Sequence, residues 1–130
     1  MHFKISGVVS EQQSGKPIEG VLVVAYDKDP LFDDLLGTAE TDATGRFLIT
    51  YALTDDVHHI RKSPDLYLAV FAPPCTMLTD TADKIRWGAT PHEVYNLKID
   101  EARLKETSTD RREERGIDKE IIGGFEWEMN

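Results

Sequence analysis

The chain has 130 residues, of which 40% are hydrophobic and 30% charged, as in one ordinary soluble globular domain. Because 24 acidic residues face only 15 basic ones, the net charge is −9, and such a chain repels nucleic-acid phosphates and anionic lipid. The single cysteine excludes an internal disulfide, and no apolar run approaches the roughly 18 residues that cross a bilayer. We expect no nucleic-acid partner and no membrane insertion. The N-terminus lacks a signal-peptide pattern, so the default location is cytoplasmic, or secreted if a leader was trimmed.

Apolar alternation and β-branched runs predict four strands in the first half of the chain. They span residues 3–10, 21–26, 35–39 and 46–51. The turn at 14–17 is expected to join the first two strands as a hairpin, and the turn at 41–45 is expected to join the next two. In the second turn, Asp42 is expected to accept hydrogen bonds from the backbone and Gly45 to take a positive φ.

Three more strands are predicted at residues 66–71, 84–88 and 94–99. No convincing helix interrupts the series, which predicts an all-β fold, a seven-stranded antiparallel Greek-key β-sandwich. Trp87 and Tyr95 are expected to be core or rim aromatics. Cys75, beside two prolines, is expected to line the edge of the core.

The character of the sequence changes at Asp100. Of the last 31 residues, ten are acidic and six basic, which predicts a sandwich domain over residues 1–99 and a charged C-terminal extension over 100–130. Short helices are expected at 101–106 and 110–122, interrupted by glycine. The extension also contains apolar residues that we expect to dock on the sandwich or on a partner subunit. They are Ile121, Ile122, Phe125 and Trp127.

An acidic loop follows the second strand. Residues 27–42 contain six acidic side chains and one lysine, and such a density of like charge repels itself unless a cation sits there. Carboxylates are the ligands that calcium prefers. Two interpretations stay open: a calcium site, or a solvated loop in which the first two aspartates cap turns. The candidate ligands are Asp27, Asp29, Asp33 and Asp34.

A second polar segment contains adjacent histidines, His58 and His59, close to Asp55 and Asp56. Together with His92 they have the side-chain types of a transition-metal site. Adjacent residues generally point apart, however, and no cysteine lies near, so the spacing favours a solvated loop.

Three motifs resemble the transthyretin-like and carboxypeptidase regulatory-like families. Their strands and turns match Ile5-Ser-Gly-Val-Val, Gly15-Lys-Pro-Ile-Glu-Gly-Val-Leu-Val-Val and Thr41-Asp-Ala-Thr-Gly-Arg-Phe. The resemblance covers roughly residues 3–99 and implies a transthyretin-like (prealbumin-like) sandwich. It implies little about function, because this architecture serves many roles.

Two enzyme groups share that architecture. Hydroxyisourate hydrolases carry a His in the first strand and a Tyr-Arg-Gly-Ser terminus, whereas this chain has Ser6 and Ser10 in that strand and ends Glu128-Met-Asn; only Arg46 aligns with their middle-strand Arg. Intradiol dioxygenases bind iron through two Tyr and two His. This chain has these residue types without the motif. They are Tyr26, Tyr51, Tyr67, Tyr95, His58, His59 and His92.

The sequence contains no nucleophile paired with a base. We therefore expect a non-catalytic binding or assembly module that meets a protein partner, or a second copy, through its edge strands and C-terminal extension. One alternative is calcium-dependent binding through the acidic loop. A second alternative is a small hydrolase that uses Arg46 and a His from elsewhere in the chain.

Overall fold

The computed structural model describes residues 2–52 and 63–105. The chain divides into two units, Met1–Ile99 and Asp100–Asn130, and of the second unit only residues 100–105 are described. Residues 101–105 form a short helix. Within the described residues, no helix has the length and apolar character needed to cross a membrane.

Seven strands form in the described part of the first unit: β1 (His2–Glu11), β2 (Leu22–Asp27), β3 (Asp34–Glu40), β4 (Arg46–Ala52), β5 (Leu66–Ala72), β6 (Thr76–Asp80) and β7 (His92–Ile99). They make a three-stranded sheet in the order β4-β1-β7 and a four-stranded sheet in the order β3-β2-β5-β6. The prediction of an all-β fold is therefore confirmed at the level of two sheets with almost no helix.

Alternation along the strands places the core between the two sheets. Strand β4 alternates strictly between exposed and buried residues, with Phe47, Ile49 and Tyr51 buried, as expected for a strand with one face on the core. Strand β5 is central and buried along most of its length. A Cβ on Gly37 of β3 would lie 2.8 Å from Cγ2 of Ile49, so the two sheets are in close contact there and leave room only for glycine.

Both predicted hairpins are wrong. Strands β1 and β2 lie in different sheets, as do β3 and β4, so each turn carries the chain from one sheet to the other. The turn chemistry itself is confirmed: Asp42 Oδ1 accepts from the amides of Thr44 at 2.8 Å and Arg46 at 3.0 Å, and Gly45 has φ 76°. Turn residues fix a chain reversal, but they do not determine which sheet receives the next strand.

The pairing and position of the last strands also differ from the prediction. Strand β7 runs parallel to β1, so the sheets are not wholly antiparallel. Residues 84–88 contribute one isolated bridge, between Arg86 and Leu66, and the sixth strand is β6. Sequence alternation missed β6 because it is a short edge strand with only Leu78 buried. Cys75, in the turn before β6, is exposed and does not line the core edge.

Candidate functional site

A groove of about 450 Å³ runs beside the edge strands β6 and β7. This volume lies within the range of about 300–1,000 Å³ that is typical of small-molecule sites. Its walls come from the end of β6, the loop that follows, and the second half of β7. The lining residues are Thr79, Asp80, Thr81, Asp83, Lys84, Arg86, Tyr95, Asn96, Leu97 and Lys98.

The groove concentrates positive charge in an acidic chain. Residues 2–52 and 63–99 contain seven Lys and Arg side chains, and three of them, Lys84, Arg86 and Lys98, line the groove. The lining also contains two acidic residues, Asp80 and Asp83, so its net charge is +1. Asp80 also accepts a hydrogen bond from the amide of Ala82 at 3.0 Å. A positive lining on an acidic molecule favours an anionic ligand.

Arg86 is the most firmly held of these cations. Its Nη1 donates to Glu93 Oε1 at 2.8 Å and to the carbonyl oxygen of Val94 at 2.9 Å. Its Cζ lies 3.7 Å from the centroid of the Tyr95 ring, a cation–π distance. The side chain is nevertheless 39% exposed, so Arg86 is fixed by its neighbours while part of it faces solvent.

Glu93 is itself fixed by Thr90. Glu93 Oε2 accepts from the amide of Thr90 at 2.6 Å and from its hydroxyl at 2.9 Å. Burial acts to raise the pKa of Glu93, but the hydrogen bonds from Thr90 and Arg86 outweigh it and lower that pKa. Glu93 is therefore ionised at neutral pH, and it holds Arg86 with a full negative charge.

Two tyrosine hydroxyls lie in the interior behind this network. Among the described residues, neither Tyr51 nor Tyr95 has a hydrogen-bond partner of normal geometry for its buried hydroxyl. Burial raises the pKa of Tyr51, and the charges of Asp27 and Glu93 raise it further. Burial also raises the pKa of Tyr95, although the Arg86 charge opposes it. Burying a charged phenolate costs more free energy than burying a neutral hydroxyl, so this part of the core is sensitive to ionisation.

These raised pKa values predict a loss of stability at alkaline pH. In the unfolded chain Tyr51 ionises near its ordinary pKa of 10.0, whereas in the folded protein it stays protonated to higher pH. The contribution of Tyr51 to the free energy of unfolding is therefore fully present below pH 10. Above pH 10, the free energy of unfolding falls by about 1.4 kcal/mol per pH unit for each buried tyrosine. Thermal melts from pH 8 to pH 11 should show this fall, and Tyr51→Phe should make it shallower. An equal fall in both proteins would contradict the assignment.

The acidic loop does not form a calcium site, so the calcium prediction is wrong. Its carboxylates bond to the protein itself: Asp27 Oδ1 accepts from the amide of Asp65 at 2.9 Å, and Asp29 Oδ1 from that of Leu31 at 3.1 Å. Asp33 accepts from the Tyr67 hydroxyl and the Asp29 amide, and it pairs with Lys28 at 3.7 Å.

Asp34, the first residue of β3, is exposed. No group of three or more His, Cys, Asp or Glu able to hold a metal occurs in the described part of the chain. Turn capping, the other interpretation of the acidic loop, fits Asp29.

The other candidates that the structure describes do not come together in one site. His58, His59, Asp55 and Asp56 fall outside the described residues. His92 is exposed, and its Nε2 lies 3.0 Å from the Ser6 hydroxyl.

Arg46, on β4, and Trp87, which is 69% exposed, lie away from the core. Arg46 is not among the residues that line the groove, whereas Trp87 directly follows Arg86 in the chain.

No family model matches this chain, and no curated protein does. Among solved structures, a 9R-lipoxygenase from Cyanothece PCC8801 is similar over 74% of this chain and 16% of its own, with 22% identity and a TM-score of 0.50. The chain thus spans about a sixth of that lipoxygenase.

Two dioxygenases are similar with lower TM-scores. The dioxygenase domain of a dioxygenase carbohydrate-binding protein fusion from Streptomyces sp. SirexAA-E has a TM-score of 0.47, 19% identity and coverage of 76% of this chain and 79% of that one. Hydroxyquinol 1,2-dioxygenase from Pseudomonas putida DLL-E4 has a TM-score of 0.44, 16% identity and coverage of 77% and 56%. At these identities the similarity concerns the fold alone.

These comparisons overturn two predictions. Membership in the transthyretin-like or carboxypeptidase regulatory-like families is wrong, because no family model matches and the similar structure with a TM-score of 0.50 is that of a lipoxygenase. The Gly and Thr-Asp motifs that suggested it meet general needs of β-turns. The prediction of a non-catalytic assembly module, with its calcium and hydrolase alternatives, is likewise wrong, because the structure that shares this fold at a TM-score of 0.50 is that of a lipoxygenase.

The described residues do not assemble the two Tyr and two His of an intradiol iron site. Tyr26 and Tyr67 stack on each other at 5.2 Å between ring centroids, and Tyr67 bonds to Asp33. Tyr51 stacks on Phe3 instead, at 5.1 Å. His92, the one histidine described on β7, contacts Ser6 rather than a tyrosine. The side chains in the described part of the chain thus do not fit that iron centre.

Sequence reasoning missed the residues of the groove. The sequence predicts strands at 84–88 and 94–99, which contain Lys84, Arg86 and Lys98, but it does not indicate that these cations share a groove. The available signal was the alternation Lys84-Ile85-Arg86, which puts two cations on one side of an extended segment. Nothing in the sequence indicates that this segment lies beside Lys98, because that proximity depends on how the edges of two different sheets come together.

Proposed function

We propose that this domain binds a small organic acid in the groove beside β6 and β7, as the substrate-holding part of an oxygenase-type protein. The observation that carries the proposal is the gathering of Lys84, Arg86 and Lys98 along one groove of ligand size. In a chain of net charge −9, cations brought together in this way favour an anion and raise its local concentration.

The polar groups of the groove suit an acid with an organic body. Arg86 is fixed against Tyr95, and Lys84 and Lys98 supply further positive charge. Leu97 and the Tyr95 ring are the apolar members of the lining. Sites for small molecules combine apolar walls with a few charged or polar groups that fix orientation.

The oxygenase part of the proposal is motivated by the fold shared with part of a 9R-lipoxygenase. Because fold does not determine function, it needs a test of its own. The described residues contain no group of His, Cys, Asp or Glu that could hold a metal, so the proposal assigns this domain the holding of the acid and not the oxygen chemistry. It expects linoleate, an unsaturated acid, to bind to the purified full chain in calorimetry, and Lys84→Gln/Lys98→Gln to weaken that binding. Binding of benzoate without binding of linoleate would contradict the oxygenase role without affecting the binding role.

Binding itself is tested by calorimetry with benzoate, octanoate and linoleate as probes. The proposal expects at least one of these acids to bind with a Kd below about 1 mM, worth about 4 kcal/mol. Affinity should fall as salt rises, because the attraction is electrostatic. The matching alcohols, benzyl alcohol and octanol, serve as controls and should bind much more weakly. If none of the acids binds, or acids and alcohols bind equally, the proposal is wrong.

A further inference from the structure

In the described part of the chain, the Arg86 guanidinium donates its hydrogen bonds from one nitrogen, Nη1. Both described side-chain hydrogen bonds leave from Nη1, one to Glu93 and one to the Val94 carbonyl. Nη1 carries two hydrogens, so these bonds satisfy it completely. Among the hydrogen bonds formed within residues 2–52 and 63–105, none is donated by Nη2 or Nε of Arg86.

The open side of Arg86 has the geometry that a carboxylate fits. Nε and Nη2 present parallel N–H groups in one plane, and a carboxylate accepts both at once through its two oxygens. The plane is restrained before any ligand arrives, because Glu93 and Val94 hold Nη1 and the Tyr95 ring lies under Cζ at 3.7 Å. A donor pair that is already oriented loses little entropy when the ligand binds.

We infer that Arg86 binds the carboxylate of the ligand through its Nε and Nη2 groups, and that Glu93 is the positioning residue that orients Arg86. This inference rests on the proposed function and names its ligand class: planar carboxylic acids are selected over other monoanions. Lys84 and Lys98 attract any anion, because an ammonium group acts as a point charge without a preferred plane. Arg86 is therefore the residue that discriminates between anions of equal charge.

The arrangement around Glu93 supports a positioning role. Its two oxygens are divided: Oε1 accepts from Arg86, and Oε2 accepts both donors of Thr90. A glutamine has one acceptor oxygen and cannot serve both neighbours. Glu93→Gln preserves side-chain size, but it should either release Arg86 or keep Arg86 and lose the bonds from Thr90 that fix its own position. Arg86 is less firmly oriented in both cases.

The experiment compares benzoate with benzenesulfonate by calorimetry at pH 7.5. Both are monoanions with the same ring, but only the carboxylate is planar. The wild-type chain is expected to bind benzoate at least about 5-fold more tightly, a difference of about 1 kcal/mol. Arg86→Lys should reduce that ratio to about 1, since lysine lacks the planar pair of donors. Glu93→Gln should also reduce it.

Lys84→Gln is the matched control. It should weaken both ligands alike and leave the ratio unchanged. Melting curves establish that each variant folds, and if Arg86→Lys does not, the wild-type ratio together with Glu93→Gln decides the matter. Equal binding of the two anions by the wild-type chain, or a ratio unchanged in Glu93→Gln, overturns the inference. Failure of the wild-type chain to bind either anion or the other acids overturns the proposed function instead.

Discussion

Replacing Ile5 with alanine is expected to lower the free energy of unfolding by about 3–4 kcal/mol, within the range for large-to-small changes at buried sites. Ile5 is fully buried at 0% exposure and sits in β1, the central strand of its sheet, opposite Ile49 of β4 and Glu93 of β7. Its loss leaves a cavity that both sheets line. Urea unfolding followed by circular dichroism measures the change.

The control is Lys4→Ala, one residue earlier on the same strand and exposed. Surface changes of this kind alter stability by less than about 0.5 kcal/mol. If Ile5→Ala lowered the free energy of unfolding by no more than Lys4→Ala does, Ile5 would not be packed in the core between the two sheets, and the described fold would be wrong there.

The double variant Lys84→Gln/Lys98→Gln is expected to weaken benzoate binding by about 10-fold or more, equivalent to about 1.4 kcal/mol. Two of the three cations in the groove are removed, and the charge that remains, on Arg86, is paired with Glu93. The lining then carries a net charge of −1, which repels an acid. Calorimetry at about 0.1 M salt measures the difference, because charges outside the groove are largely screened at that ionic strength.

A second double variant, Lys4→Gln/Lys16→Gln, removes the same charge from exposed positions outside the groove. It should leave affinity within about 2-fold of the wild type at the same salt concentration, because exposed charges that do not line the groove are largely screened there. Lys98 also donates to the Ser10 hydroxyl at 3.0 Å, so melting curves must accompany the comparison. Equal losses in the two double variants would show that net charge alone governs binding.

Much of the strand content could be predicted from the sequence, because burial of one face of a strand makes apolar residues recur at every second position. The strict alternation of β4 and the apolar run of β5 are visible without a structure, and so is the chemistry of the turn at Asp42. The sheet to which each strand belongs could not be predicted. A turn at 41–45 satisfies its own hydrogen bonds equally well in a hairpin or between sheets, and only packing of the whole core selects between them.

The site was less predictable than the fold, for the same physical reason. The acidic loop is prominent in the sequence because its charges are neighbours along the chain, yet hydrogen bonds to Leu31, Asp65 and Tyr67 engage its carboxylates. Arg86 and Lys98 are distant in sequence and become neighbours through the fold. Glu93 is one of 24 acidic residues in the sequence. Its importance comes from the bonds to Arg86 and Thr90, which no spacing rule predicts.

Amide NMR with increasing benzoate tests the central claim most directly, because it shows where an acid binds as well as whether it does. The account predicts that chemical shifts move at residues 79–86 and 95–98, with Trp87 and its indole close to the affected region, while residues 27–34 stay unchanged. Shifts confined to the acidic loop or spread evenly over the surface would contradict it, and so would their absence at millimolar benzoate.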